Sequence, residues 1–243
     1  MLNFTDKMKK IVIFGASGHG SVVLDCLLKE GSYDCIGFLD SYKKSGSFYC
    51  GYEILGDEND LLTIVEKYEI SGIIVAIGDN WSRKCVVHKI KEVVPNIEFI
   101  STVHPTATIS REVILGKGSV VLAGVKISSH SVVGDHCILN TNSILEHNSV
   151  MHNYSSLAPM VCVGGNLHLG KFSTICIGAI CIENISIGQH AVIGAGSLVL
   201  HDIPNAVLVF GRPAKIVKKR KIGEPYLGNF NDKQSIERIM AKI

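Results

Sequence analysis

One histidine of the ten, His147, stands where an imidazole could do chemistry. It lies in Glu146-His147-Asn148, and the residues eighteen positions to either side are Ser129 and Gly165, small enough to leave room beside the ring for a substrate. Histidine has an ordinary pKa of ~6.5, so it can take or give a proton near neutral pH. A surface histidine without such a task is the competing reading. His130, His136 and His190 fall in a slot that Asn142 and Asn148 use elsewhere, and are expected to be solvated corners. A second set of residues suits phosphate. The turn Gly15-Ala-Ser17-Gly18-His19-Gly20 joins a short apolar run to a helical pattern. Backbone amides at such a helix start can hold phosphate oxygens, and glycine lets the phosphate come close. Asp40 ends the next apolar run, about where an acid meets a ribose or base in dinucleotide folds, and Gly78-Asp79-Asn80 with Arg83 is a further strand end facing the same edge. The GxxGxG spacing is not GxGxxG, so a nicotinamide cofactor is not indicated. A tight turn with no ligand stays open as the alternative.

These groups need a scaffold, and a six-residue period supplies it. From Val103 to Val199 every sixth residue is apolar, seventeen positions in a row. Small or aliphatic residues recur four places later, among them Ala107, Ser119, Ser131, Ser143, Ser155 and Ala179. Such a period fits neither a helix nor a simple alternating strand. It fits a short strand followed by a corner, with the apolar residue and the small residue two before it on one face. Gly116, Gly134, Gly170, Gly188 and Gly194 follow the apolar slot, and Asn142, Asn148, Asn166 and Asn184 come two places later. Both types tolerate the positive φ of a tight corner. Three strands close a triangular coil, and coils stacked about 4.8 Å apart make a parallel β-helix with an aliphatic core.

Before the repeat, apolar strands (Ile11–Phe14, Cys35–Asp40, Ile73–Ile77, Ile97–Ile100) alternate with helical patterns, one running from Arg83 to Val94. That order implies an α/β domain with a parallel sheet and helices on both faces. The expected domains are residues 1–100, 101–220 and a C-terminal tail at 221–243, with the first boundary near Ser101 to Pro105. A basic run from Lys215 to Lys221 and a short helix from Asp232 to Ile243 are expected in the last part. A net charge of +2 gives no reason to expect nucleic acid or an anionic membrane as partner. The eight cysteines form no CxxC pair and no disulfide framework, which fits a reducing cytosol. No signal peptide and no membrane-length apolar stretch is visible, so a cytoplasmic location is expected.

The sequence resembles the hexapeptide-repeat sugar acyltransferases, a group that includes bacterial nucleotide-aminosugar N-acetyltransferases and sialic acid O-acetyltransferases. The matching features are the Gly-rich first turn, Phe38-Leu39-Asp40, Ala76 to Asn80, His104-Pro105, the repeats, Asn140-Thr141, Glu146-His147 and Gly211 to Lys215. The resemblance implies a Rossmann-like α/β domain that binds a nucleotide-sugar, for this chain a UDP-4-amino-sugar, through Gly15, Ser17, Gly18, His19, Asp40, Gly78, Asn80 and Arg83. It implies a left-handed parallel β-helix that forms a homotrimer. Acetyl-CoA, the acyl donor, would lie in the groove between two prisms, along Ser156, Gly164, Gly165, Ile177, Gly178, Gly194, Ala195 and Lys215. The histidine of the Glu-His motif, His147, would be the general base, with Asn140 orienting the base or the substrate. Family members commonly carry Asp or Glu directly after that histidine, where this chain has Asn148, and often a second histidine nine residues on, where it has Ser156. Asn148 can still accept a hydrogen bond through its carbonyl oxygen, and Glu146 could supply charge. Amides near Gly164, Gly165 or Gly178 would meet the oxyanion.

Three other readings compete. Prism-shaped carbonic anhydrases bind zinc through three histidines, but the third ligand position beside His147 and His152 is Arg111, so no metal is expected. O-acetylation of a sugar such as sialic acid is possible on the same fold. So is a nucleotide-sugar-binding scaffold without catalysis, because fold alone does not decide function.

Overall fold

The computed structural model describes residues 8–227. The first apolar run is β1 (Lys9–Phe14), buried from Ile11 onward. It is followed by α1 (Gly18–Glu30), which Gly31 terminates in the left-handed conformation. Then come β2 (Tyr33–Leu39), β3 (Phe48–Tyr49), β4 (Tyr52–Gly56), α2 (Leu61–Tyr68), β5 (Gly72–Val75), α3 (Asn80–Val93) and β6 (Glu98–Phe99). The sheet order is β3-β4-β2-β1-β5-β6, and β1 runs parallel to both β2 and β5. The winding therefore reverses beside β1, and the crevice beyond the ends of β1 and β5 is where doubly wound sheets take ligands. One side of the sheet packs on α1, the other on α2 and α3. α3 starts three residues before the expected Arg83, because Asp79 caps it by accepting from the Ser82 amide at 2.9 Å.

The repeat folds as a left-handed parallel β-helix. Two-residue strands recur every six residues from β7 (Thr102–Val103) to β23 (Leu198–Val199). As far as the strand at 180–181, each pairs with the strand eighteen residues on, as Val120 does with Ile138 and Val121 with Leu139. Three faces result. The first holds the strands at 102–103, 120–121, 138–139, 156–157, 174–175 and 192–193, and is extended by β24 (Val207–Gly211) and β25 (Ala214–Lys219). The second runs from 108–109 to 198–199, and the third from 114–115 to 186–187. The inward residues, from Val121 through Leu139, Leu157 and Ile175 to Val199, form one continuous core. Each such side chain contributes roughly 1.5–3 kcal/mol by leaving water.

Every sixth residue from Glu112 to Gly196 sits in the left-handed region, with φ between 55° and 69°. Asn142, Asn148, Asn166 and Asn184 do so as expected. The glycines one slot after the apolar residue do not, and are needed for another reason. A Cβ on Gly116 would strike the backbone of Gly134, and one on Gly170 would lie 2.5 Å from the Gln189 nitrogen. They let successive coils touch. Bulky residues at the strained corners are held by the ladder itself: Tyr154, Met160 and Asn166 each donate their amide to the coil before, to Asp135, Thr141 and His147.

The first face is covered by the α/β domain and the C-terminal segment. Its outward residues Thr102, Val120, Ile138, Ser156, Thr174 and Val192 are all buried. Val120 and Val192 are thus used within the chain, and Val120 joins the core beneath α1. Val132 and Val150 on the third face remain half-exposed, beside exposed Ile114. The first part of the basic run Lys215–Lys221 lies on strand β25, paired antiparallel to β24, with Lys215, Lys218 and Lys219 exposed. The expected helix at 232–243 lies outside the described residues. No helix among the described residues is long and apolar enough to cross a membrane.

One corner of the prism forms an aromatic ladder. His136, Tyr154, Phe172 and His190, eighteen residues apart, stack at 5.0, 5.4 and 4.7 Å between ring centres. Phe99 and Trp81 of the α/β domain pack edge-on against His136 and Phe172. His136 is therefore buried, not a solvated corner, and neither ring nitrogen has a partner among the described residues. Burial, then the charges of Arg83, Lys91 and Lys117, push its pKa down to about 3. The unfolded chain binds the proton first, at ~6.5, so stability is complete above that pH and is lost as pH falls towards 3. His136→Phe removes this loss, and Phe172 shows that phenylalanine fits the same slot two coils on. At pH 5 the variant should be more stable than the parent by about 2 kcal/mol. Thermal unfolding at pH 5 and pH 7.5 checks this. An equal gap between the two proteins at both pH values would contradict it.

Candidate active site

The α/β crevice is built from two strand ends. Gly15 adopts φ +114°, and a Cβ there would lie 2.7 Å from the Ala76 carbonyl oxygen, so only glycine lets the loops after β1 and β5 approach this closely. Asp40 organises the neighbouring turns. Its Oδ2 accepts from the Ala16 amide at 2.8 Å, and its Oδ1 accepts from the amides of Tyr42 and Lys43. Ser17 and Gly18 at the start of α1 are exposed, and nothing lies within 4 Å of a Cβ built on Gly18. The Nε2 of His19 is buried and has no partner among the described residues. Burial, then the charge of Arg83, lowers the His19 pKa to about 4, so the ring is neutral at physiological pH. An open helix start with an unpartnered ring nitrogen beside it suits a polar ligand.

Asn80 and Arg83, expected among the ligand residues, are instead consumed by the joint between the two domains. Arg83 is 1% exposed. Its Nε donates to the His136 carbonyl at 2.9 Å, Nη1 to those of Ile77 and Gly78 at 2.7 and 3.0 Å, and Nη2 to Asn80 Oδ1 at 2.7 Å. The amide nitrogen of Asn80 donates to the carbonyls of Phe172 and Ser173. Strand-end chemistry and joint chemistry use the same residue types, which is why the sequence does not separate them.

The prism presents its expected residues on two different edges. Glu146, His147, Asn148, Gly164 and Gly165 lie on the edge between the second and third faces. Asn140, Ile177, Gly178, Gly194 and Ala195 lie on the edge between the first and second. His147 is exposed, and a Cβ on Gly165 would lie 2.5 Å from its Cε1, so the ring rests on ground that only glycine leaves clear. Asn148 places its side-chain amide 3.1 Å from His147 Nδ1. With the carbonyl oxygen turned towards a protonated Nδ1, the amide would leave Nε2 as the basic nitrogen. Glu146 supports the corner through its carbonyl, which accepts from Ser131 Oγ, and no hydrogen bond joins its carboxylate to His147 among the described residues.

Two expectations for the prism need correction. Ser156 is not on either edge; it lies on the first face beneath Tyr226, 3% exposed. The amides of Gly164 and Gly178 are already committed, to the carbonyls of Cys181 and Pro159 at 2.9 and 3.0 Å. Only Gly165 of the three, the residue against which the imidazole rests, keeps an amide without a partner among the described residues. Lys215 is exposed on β25, opposite Phe210. The sequence reading missed Tyr226 and Trp81, which pack where the two domains meet.

Residues 10–90 match the family model of the PglD N-terminal domain. PerB from Caulobacter crescentus, solved with CoA and GDP-perosamine, is 31% identical with a TM-score of 0.81, over 87% of this chain and 99% of that one. Structures of the same GDP-perosamine N-acetyltransferase with one histidine changed to alanine or asparagine also contain both ligands. The acetyltransferase domain of PglB from Neisseria gonorrhoeae, solved with acetyl coenzyme A, is 31% identical with a TM-score of 0.80, over 87% of this chain and all of that one. The chain spans about a quarter of the length of the curated relatives it matches. One is a serine acetyltransferase of Buchnera aphidicola subsp. Schizaphis graminum, 50% identical over 60 residues, which are 24% of this chain and 23% of that protein. Agreement that runs through the α/β domain and the whole repeat, end to end with two acetyltransferase structures, makes this chain a member of the hexapeptide-repeat sugar acyltransferase family.

Proposed function

We propose that this protein transfers the acetyl group of acetyl-CoA to the amino group of a nucleotide-linked amino sugar, with His147 as general base. One observation carries the reading. A chain that aligns end to end with a GDP-perosamine N-acetyltransferase holds an exposed imidazole on a prism edge cleared by Gly165. The sugar amine attacks the thioester carbonyl, and a C–N bond forms as His147 Nε2 takes the amine proton. The oxyanion meets the Gly165 amide. Collapse then breaks the C–S bond and expels the CoA thiolate, which recovers the proton. Two bound substrates provide much of the acceleration, since effective molarities reach ~10⁵ M or more.

The same reading calls for a trimer. The two edges that carry the expected residues bound the second face, whose outward residues include Ile144, Cys162, Ile180 and Leu198. One prism cannot bring its own two edges together. Three prisms with their second faces turned to a common axis set the His147 edge of one against the Asn140 edge of the next, and bury that apolar strip.

The test is release of CoA thiol against a panel of UDP-, GDP- and dTDP-linked amino sugars, with free sialic acid as the hydroxyl acceptor. Release with at least one nucleotide-linked amine, and none with its hydroxyl analogue, is expected. A UDP-linked 4-amino-sugar is the expected best acceptor. Turnover of sialic acid alone would replace the proposal with O-acetylation, and nucleotide binding without thiol release would replace it with a scaffold.

A further inference from the structure

The segment after β25 returns to the α/β domain and fastens there. The Arg220 amide donates to the Ala206 carbonyl at 2.7 Å, and its guanidinium donates to the Glu224 carbonyl. The Glu224 carboxylate takes Lys218 Nζ at 2.7 Å and the Lys221 amide at 3.0 Å. Gly223 lies against the Trp81 indole, so closely that a Cβ would come within 2.9 Å of its nitrogen. The chain then reaches Tyr226. Its hydroxyl donates to the Gly78 carbonyl at 2.9 Å, and its amide donates to Asp79 Oδ2 at 3.2 Å. The phenol oxygen also lies 3.3 Å from Ser156 Oγ, which donates to Thr174 Oγ1 at 2.9 Å. Leu227 covers Gly78 from outside.

Two features make this a built contact. Under α1 the outward residues of the first face are Thr102, whose hydroxyl donates to Glu30 of α1, and the apolar Val120 and Ile138; under Tyr226 they are Ser156 and Thr174, polar partners for a hydroxyl. Asp79 divides its carboxylate, with Oδ1 capping α3 and Oδ2 holding Tyr226. The loop gripped in this way, Gly78-Asp79, follows β5 and forms one wall of the crevice between β1 and β5.

We infer that residues 220–227 are a strap that sets the wall of the nucleotide-sugar crevice, and that Tyr226 is a positioning residue for that substrate. The inference rests on the proposed function for the identity of the substrate. Tyr226 acts through Gly78 and Asp79, and takes no part in proton transfer at His147.

The test uses full-length Tyr226→Phe and Tyr226→Ala. Losing the hydroxyl alone should raise KM for the nucleotide-sugar about fivefold, the equivalent of one hydrogen bond, and the alanine variant should raise it by roughly tenfold or more. KM for acetyl-CoA should not move in either, and thermal unfolding should separate a local from a global effect. An unchanged nucleotide-sugar KM in Tyr226→Ala, or equal rises in both KM values, would overturn the inference. Calorimetric titration with UDP and GDP gives a readout independent of turnover. Diphosphate binding that weakens in Tyr226→Ala, in a protein that transfers no acetyl group, would keep the strap and reject the proposed reaction. Normal transfer with unaltered diphosphate affinity in the variant would do the reverse.

Discussion

Replacing His147 with alanine is expected to lower kcat by roughly 10²–10⁴, the usual contribution of a positioned general base. KM for both substrates should stay within about threefold. The ring rests on Gly165 and meets Asn148, but it supports no part of the core, so its loss removes proton transfer and little else. The histidine-substituted structures of the Caulobacter relative, which hold CoA and GDP-perosamine, show that in that protein such a change is compatible with both ligands. Steady-state kinetics with each substrate varied in turn, together with light scattering of the variant, make the check. Turnover near the parent level would take the base role from His147 and move attention to the other side of the cleft. A variant that loses activity and also dissociates or aggregates would point to a structural role.

How much of this was legible in the sequence depended on what each residue answers to. The six-residue period reports a local constraint that every coil repeats, so the prism and its core could be read directly. The same holds for the asparagine corners, whose φ is a property of one residue. The glycines after the apolar slot were placed correctly but explained wrongly, because their constraint lies in a coil eighteen residues away. His136 shows the same limit more sharply. Its slot marks it as a corner, yet its burial comes from Phe99 and the rest of the α/β domain, which no local pattern announces. The spacing of His136, Tyr154, Phe172 and His190 was the available signal: four rings in register at one corner predict a stack, and a stack invites a docking partner. At the crevice, Gly15 and Asp40 stand out because strand ends carry a chemical signature. Asn80 and Arg83 carry the same signature but serve the joint.

Arg83 therefore supplies the second large effect, and it should appear as lost stability. The guanidinium is buried and bonds to three backbone carbonyls and to the Asn80 side chain within 3.0 Å, with the Tyr154 carbonyl further off at 3.4 Å. Those acceptors come from both domains, so one side chain satisfies the seam between them. Arg83→Met keeps much of the volume but removes the donor from the His136 and Ile77 carbonyls and from Asn80 Oδ1, while the Gly78 carbonyl keeps the Tyr226 hydroxyl. Each lost donor costs about 1–3 kcal/mol, partly offset because no charge remains buried. A net loss of roughly 3 kcal/mol is expected, equivalent in a chain of this length to a fall in Tm of about 6–12 °C. Lysine should not rescue it, since one ammonium cannot reproduce the planar fork that reaches His136, Ile77 and Asn80 together. The opposite pattern, a normal Tm with a raised KM for the nucleotide-sugar, would return Arg83 to the ligand and leave the seam to Asn80 and the aromatic ladder.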